Sequence, residues 1–260
     1  MRIVTLNFNG IRSAASKGFF DWLPLQNADI VCVQELKAHA SDMTDTMRHP
    51  QGWHGYFHYA HKKGYSGVGI YSKYPADSLI EGLGHDDIDA EGRYLQAQFG
   101  SLTVISLYLP SGSSGEERQT VKFSVMARFY SHLAELIALG NDIVICGDWN
   151  IAHKTIDLKN WRGNQKNSGF LPQERAWLDD VFGQLGWVDV YRLLHPDATD
   201  ASYTWWSNRG QAWLKNVGWR IDYQIASPGL AKRACHAQIY KDQRFSDHAP
   251  LIIDYDRALV

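Results

Sequence analysis

The sequence predicts a layered α/β fold containing mixed β-sheet, and three observations predict it. Short apolar runs rich in β-branched and aromatic residues recur along the 260 residues, each of a length that suits a strand buried on at least one face. Amphipathic helical patterns lie between several of them, which is the alternation of a layered fold. Two consecutive runs are joined only by Gly100-Ser101, a hairpin-sized connection, so the strands cannot all be parallel.

In chain order the predicted strands cover residues 3–6, 30–33, 68–71, 94–99, 102–109, 143–146, 221–226 and 251–253. The clearest helix spans 120–139, where Val121, Val125, Phe129, Leu133 and Leu136 recur at three- and four-residue spacing. A second spans 172–185, with Pro172 suited to the first helical turn and Gly186 to the stop. The chain is 45% hydrophobic and 13% aromatic, enough to bury one core, and no Pro/Gly/Ser-rich linker divides it, so residues 1–260 are expected to form a single catalytic domain.

No signal-peptide pattern follows Met1, and no segment holds the apolar length of a membrane span. Cys32 and Cys146 sit inside apolar runs, Cys235 stands alone, and no Cys-x-x-Cys spacing offers a zinc site. A cytoplasmic monomer that does not engage membranes is the expectation. The net charge of −2 does not by itself favour nucleic acid, but charge is unevenly spread. Acids gather between Asp77 and Glu91, whereas Lys159, Arg162, Lys166, Arg209, Lys215 and Arg220 fall in later segments that also hold aromatics.

The chemistry stands at the strand ends. Residues 3–6 lead into Asn7-Phe8-Asn9, 30–33 into Gln34-Glu35, 102–107 into Tyr108, and 143–146 into Gly147-Asp148-Trp149-Asn150; Asp222 and Ser246-Asp247-His248 adjoin further runs. In α/β proteins such side chains converge on one rim. One Asp there is ordinarily a turn or cap, but six independent cases strain that explanation. A cluster of Glu35, Asp148, Asp222 and Asp247 with asparagines and one histidine is oxygen-rich and poor in Cys and His. That favours Mg2+, with Mn2+ as substitute, over zinc, and such an ion suits phosphoryl transfer.

Nine stretches carry a resemblance that spans the chain in order: Asn7-x-Asn9-Gly10-Ile11-Arg12, Gln34-Glu35-x-Lys37, Glu91-Gly92-Arg93, Tyr108-x-Pro110, Gly147-Asp148-x-Asn150-Ile151-Ala152-His153, Phe170-x-Pro172-Gln173-Glu174-Arg175, Tyr203-Thr204-Trp205-Trp206, the segment from Lys215 to Asp222, and Ser246-Asp247-His248. Together they resemble the motif series of the exonuclease III family of apurinic/apyrimidinic endonucleases. The resemblance implies a DNase I-like four-layer α/β sandwich, two mixed β-sheets flanked by helices. It implies Glu35 as the main metal ligand, with Asp247 and Asn9 near the cation directly or through water. Asp148 would activate the attacking water, with Asn150 and Asn7 holding it and the scissile phosphate, and Asp148 and Asn150 would also border the cation. His248, oriented by Asp222, would bind the phosphate. Tyr108 would support either the leaving oxygen or the nucleophile. His153 reads as a structural, hydrogen-bonded histidine. Some family members have Asp at the position of Asn9, and the neutral side chain leaves the number of metals open.

The stretch from Tyr203 to Trp219 mixes Trp205, Trp206, Trp213 and Trp219 with Arg209 and Lys215. It suits either a core or a surface that meets bases and phosphates. By resemblance, Trp205, Trp219 and Ile221 would line an apolar slot for a flipped-out deoxyribose lacking its base, Gly169 would leave that slot clear, and Arg93, Arg209, Lys215 and Arg220 would contact DNA. The implied function is incision of damaged double-stranded DNA 5′ to abasic sites, with 3′-phosphodiesterase and weaker 3′→5′ exonuclease activity. A predominantly 3′-processing enzyme, a phosphoesterase on a non-DNA ester, and a non-catalytic DNA-binding protein are the alternatives.

Overall fold

The structure, a computed structural model, describes residues 1–259. Its strands are β1 (Arg2–Asn7), β2 (Ile30–Gln34), β3 (His54–His58), β4 (Val68–Ser72), β5 (Ser78–Glu81), β6 (Tyr94–Phe99) and β7 (Leu102–Tyr108). They continue as β8 (Asp142–Asp148), β9 (Val188–Asp189), β10 (Trp205–Trp206), β11 (Gly218–Trp219), β12 (Asp222–Ala226), β13 (Ala234–Ile239) and β14 (Leu251–Tyr255). One six-stranded sheet has the order β13-β14-β1-β2-β4-β3 and the other β5-β6-β7-β8-β12-β9, while β10 and β11 pair by themselves. Each large sheet is mixed: β1 and β2 run parallel, as do β7 and β8, and the remaining pairs are antiparallel.

Alternation along the strands assigns the layers. Ile3, Cys32, Ile70, Val104, Val144 and Ile253 meet between the two sheets. On the outer face of the second sheet, Ile105 and Ile145 pack against Val125, Phe129 and Leu133 of the helix Glu116–Ala138 and Leu178 of the helix Pro172–Gly183. On the outer face of the first, Val4, Leu6 and Val31 pack against Phe19, Trp22 and Phe245. Helices, sheet, sheet and helices make the four layers expected from the motif series. No described helix is long and apolar enough to cross a membrane.

Polarity rises along the space between the sheets. Beyond the apolar centre, Gln34 donates to Thr5 and Ser106 at 3.2 and 3.1 Å. Gln224 donates to the Ile3 carbonyl at 3.0 Å and accepts from Tyr255 at 3.1 Å. These bonds satisfy the buried polar groups that precede the rim. The next inward positions on the same strands are Asn7, Tyr108, Asp148 and Asp222, so the pleat that builds the core also delivers the polar cluster.

Candidate active site

Strand register places the cluster. Asp148 is flanked by Tyr108 on β7 and by Asp222 on β12, each directly opposite it. In the facing sheet Asn7 on β1 pairs in register with Gln34 on β2, which sets Glu35 one step beyond. Gly147 is required here by close approach, because an added Cβ would lie 1.8 Å from the Leu107 carbonyl oxygen.

A single amide ties two carboxylates together: Asn7 Nδ2 donates to Glu35 Oε1 at 2.8 Å and to Asp148 Oδ2 at 2.9 Å. Asp148 Oδ1 accepts the Asn150 backbone N–H at 2.8 Å, and Asn150 Nδ2 donates to the Leu109 carbonyl at 2.9 Å. His248 Nδ1 lies 2.8 Å from Asp222 Oδ2, and its Nε2 lies 3.9 Å from Asp148 Oδ2. Asp247 turns aside to accept from Asn9 Nδ2 at 2.9 Å and Trp205 Nε1 at 3.1 Å. Ser246 anchors the segment by donating to the Asn7 carbonyl at 2.6 Å.

Electrostatics separate the roles. Burial and the neighbouring Asp222 charge push the Asp148 carboxyl up to about 7, against the lowering influence of His248. Burial disfavours the His248 cation, yet Asp222, Asp148 and Asp247 together carry it up to about 10. Burial likewise opposes Glu35 ionisation, but Lys37 at 2.7 Å holds its pKa below the usual value. The Tyr108 phenol is raised well above its ordinary value by burial and Glu35, so it stays protonated and can donate.

The His248 state is measurable. In protein kept in chelator, the imidazole is expected to titrate near 10, and Asp222→Asn should bring the midpoint down by removing its principal counter-charge. Because the folded pKa is raised, this charge adds stability fully below the unfolded value of about 6.5 and loses it as pH rises through about 10. An imidazole NMR titration unaltered by Asp222→Asn would contradict the assignment.

A cation fits this cluster. Glu35 and Asp148 bring carboxylate oxygens within 4.8 Å of each other and of a ring nitrogen of His248, and the two carboxylates are the ligands on offer, since His248 held as a cation has no lone pair to give. Burial and the neighbouring carboxylate charges raise Asp148, and a bound cation would offset both. Asn9 and Asp247 form the adjacent wall of the site, bonded to each other rather than turned into the three-residue group.

Beside the cluster opens a cleft of about 980 Å³ whose lining joins Glu35, Tyr108, Asp148, Asn150, Asp247 and His248 to Gly169, Trp205, Arg209, Trp219 and Ile221. Trp205 and Trp219 are half-buried and meet edge to face at 6.2 Å. Trp206 is the opposite case: it is buried, donates to Asn216 Oδ1 at 3.0 Å and packs against Trp213. Lys215 is exposed on the β10–β11 connection but does not line the cleft.

Two arginines expected at the DNA, Arg93 and Arg220, are instead enclosed by the protein. Arg93 is 3% exposed; it stacks at 4.5 Å over the Tyr108 ring and donates to Glu91, Tyr65 and the Tyr108 carbonyl. It supports Tyr108 from behind and presents no charge to a ligand. Arg220 is 1% exposed, enclosed by Asp157 at 2.7 Å and Asp189 at 2.7 Å. Along Trp219-Arg220-Ile221 the flanking residues line the cleft while the guanidinium points into the protein. His153 lies 2.8 Å from Asp179, a structural setting as expected.

Residues outside the expected set also shape the site. Lys166, Asn167 and Ser168 line the cleft. Buried Lys122 donates to the Asn150 carbonyl at 2.8 Å, and Thr204 Oγ1 accepts the backbone N–H groups of Ile221 and Asp222 at 3.1 and 3.2 Å. Lys122 was legible in principle, as a charge one turn before Met126 on the apolar stripe of its helix.

The pattern of the Endonuclease/Exonuclease/phosphatase family matches residues 4–248. An exodeoxyribonuclease of Bacillus subtilis (strain 168) is 36% identical over 252 residues, covering 96% of this chain and 98% of that protein. The DNA repair nuclease APEX1 of Danio rerio is 36% identical over 258 residues, covering 97% of this chain and 81% of that protein. An AP endonuclease from Archaeoglobus fulgidus superposes with a TM-score of 0.89 at 29% identity, covering 99% of this chain and 100% of that one. The 3′-5′ exonuclease NExo of Neisseria meningitidis superposes equally well, with a TM-score of 0.89 at 25% identity and the same coverage of 99% and 100%. Strand order, rim chemistry and sequence agree, and the chain belongs to the endonuclease/exonuclease/phosphatase family.

Proposed function

We propose that this protein is a DNA-repair phosphodiesterase that cuts duplex DNA on the 5′ side of an abasic site, leaving a 3′-hydroxyl and a 5′-deoxyribose phosphate. The observation that carries the reading is the aromatic cleft wall, open beside the carboxylate cluster at Trp205, Trp219, Ile221 and Gly169. An abasic nucleotide has least stacking to lose on leaving the helix, and an apolar slot at these residues would take its bare sugar in preference to an intact nucleotide. The exposed Arg209 on the cleft and Lys215 nearby suit the flanking phosphates. The enzyme is read as a single catalytic domain acting as a cytoplasmic monomer.

In this mechanism Asp148, fixed by Asn7 and the Asn150 backbone, orients the attacking water and takes its proton. His248, held as a cation by Asp222, faces the phosphate and stabilises charge developing on its oxygens. Protonated Tyr108, backed by Arg93, donates at the same centre. Mg2+, or Mn2+ in its place, would be held by Glu35 with Asp148, Asn150, Asn9 and Asp247 around it, and would supply Lewis-acid polarisation of the phosphate.

Relatives named for AP endonuclease and for 3′-5′ exonuclease activity both share this fold, so 3′-end processing is the second reading. Initial rates on duplexes with an internal abasic site, a 3′-phosphate or an undamaged recessed 3′ end, with magnesium and with chelator, separate the two. Incision should be fastest and should vanish in chelator; a dominant exonuclease rate would favour the second reading.

Gly169 supplies a sharper test. Its φ is +90°, and a Cβ there would come within 3.0 Å of the Asn150 carbonyl oxygen and 3.3 Å of the Trp219 ring. Its role is therefore close approach of backbone as well as clearance for substrate. Gly169→His is expected to reduce abasic-site incision more than removal of a 3′-terminal nucleotide, and equal losses in the two assays would remove the loop from specificity.

A further inference from the structure

Lys122 and Glu174 form a fully buried ion pair, Nζ to carboxylate 2.6 Å, between the helices Glu116–Ala138 and Pro172–Gly183. Withdrawing two charges from water is expensive, and apolar replacements of such pairs are often tolerated or stabilising. Stability alone gives little reason for charges here, whereas the hydrogen bonds they make do. Lys122 Nζ donates to the Asn150 carbonyl at 2.8 Å. Glu174 Oε2 accepts the backbone N–H groups of Gly169 at 2.7 Å and Leu171 at 3.0 Å.

The connection runs on in both directions. Asn150 sits in the left-handed region at φ +52° and its own N–H donates to Asp148 at 2.8 Å, so Lys122 holds the carbonyl of the residue whose N–H steadies Asp148. The Gly169 carbonyl closes the loop by accepting the Ala152 N–H at 2.8 Å. Neither Lys122 nor Glu174 reaches the cleft.

We infer that Lys122 and Glu174 are positioning residues that hold the Gly169 wall of the slot in register with Asp148 and Asn150, and so set the preference for an internal abasic site over a chain end. The inference rests on the reading of this site as a DNA-incising one. Removal of a 3′-phosphate uses the hydrolytic residues without filling the slot, whereas incision needs slot and hydrolytic residues aligned together. A misplacement of about 1 Å costs on the order of 100-fold in rate.

The test compares the unmodified protein with Glu174→Gln, Lys122→Met and the double variant carrying both changes. The double variant leaves no unpaired buried charge and keeps an amide oxygen to cap Gly169 and Leu171, so it reads the effect if either single variant fails to fold. Rates are taken in magnesium on a duplex with an internal abasic site and on one with a 3′-phosphate, with Tm measured for each protein. Incision kcat is expected to fall about 100-fold and 3′-phosphate release by less than about tenfold, with KM on each substrate within about threefold of the unmodified protein. A fall by one common factor on both substrates in every variant that folds, or an unchanged ratio of the two rates, would overturn the inference. No incision by the unmodified protein would instead overturn the functional reading beneath it.

Discussion

Asp148→Asn is expected to lower abasic-site incision about 1,000-fold or more while leaving the folded protein intact. The substitution keeps the shape of the side chain and removes the group that takes the proton from water, and positioned general bases contribute about 10² to 10⁴-fold. The effect belongs in kcat, because the slot and the basic residues that bind DNA are untouched. Stability should hold or rise. The folded environment raises the Asp148 pKa to about 7 through burial and the Asp222 charge, so above that pH the ionised carboxylate costs folding free energy that a neutral amide avoids. An active site that is less stable with its catalytic carboxylate than without it is the usual exchange between stability and function. Retention of near-normal incision by Asp148→Asn would remove Asp148 from the mechanism.

Asp157→Ala is expected to have the largest effect on folding. Asp157 is fully buried and accepts from Arg220 Nε at 2.7 Å, from Arg192 Nη2 at 2.5 Å and from the Lys154 backbone N–H at 2.8 Å. Removing one member of a buried pair strands its partner, at a cost of about 3–5 kcal/mol. In a chain of this length that lowers Tm on the order of 10 °C. The loss should also reach the slot, since Arg220 lies between Trp219 and Ile221, so KM for the abasic duplex should rise in the protein that still folds. The pH dependence has a definite sign. Burial would raise the Asp157 carboxyl, but the charges and hydrogen bonds of Arg220 and Arg192 hold it well below the usual carboxylate range. Its contribution is therefore complete above about pH 4 and fades as pH falls through the folded value. Denaturation curves of the two proteins should differ most at neutral pH and converge in acid. A gap that widened on acidification would contradict the buried pair.

The part of this fold that was legible in the sequence is its interior. All eight predicted strands are inner strands, β14, β1, β2 and β4 of one sheet and β6, β7, β8 and β12 of the other. The edge strands β3, β5, β9 and β13 escaped because an edge needs little apolar sequence. Every residue of β5 (Ser78–Glu81) is exposed, and β13 alternates without a continuous apolar run. The paired two-residue strands β10 and β11 are too short for any periodicity.

The site was legible for a related reason. Asn7, Glu35, Tyr108, Asp148 and Asp222 stand at the ends of inner strands, where register alone decides their neighbours. Side-chain direction outside regular strands was not legible. Arg220 follows Trp219 in a motif that looks cationic and DNA-facing, yet the alternation sends its guanidinium to Asp157 and Asp189. Arg93 was misplaced similarly, because nothing in Glu91-Gly92-Arg93 reveals that Tyr108 will cover it. The meeting of Lys122 with Glu174 is not legible in the sequence, since it depends on how two helices pack.

The chemistry at the break tests the site most directly. Mass spectrometry of fragments released from a duplex bearing one abasic site should show a 3′-hydroxyl on the upstream fragment and a 5′-deoxyribose phosphate on the downstream one, formed only when divalent metal is supplied. Fragments ending in a 3′-unsaturated aldehyde, formed equally well in chelator, would mean that the backbone is broken by elimination and that the carboxylate cluster does not do what its geometry indicates.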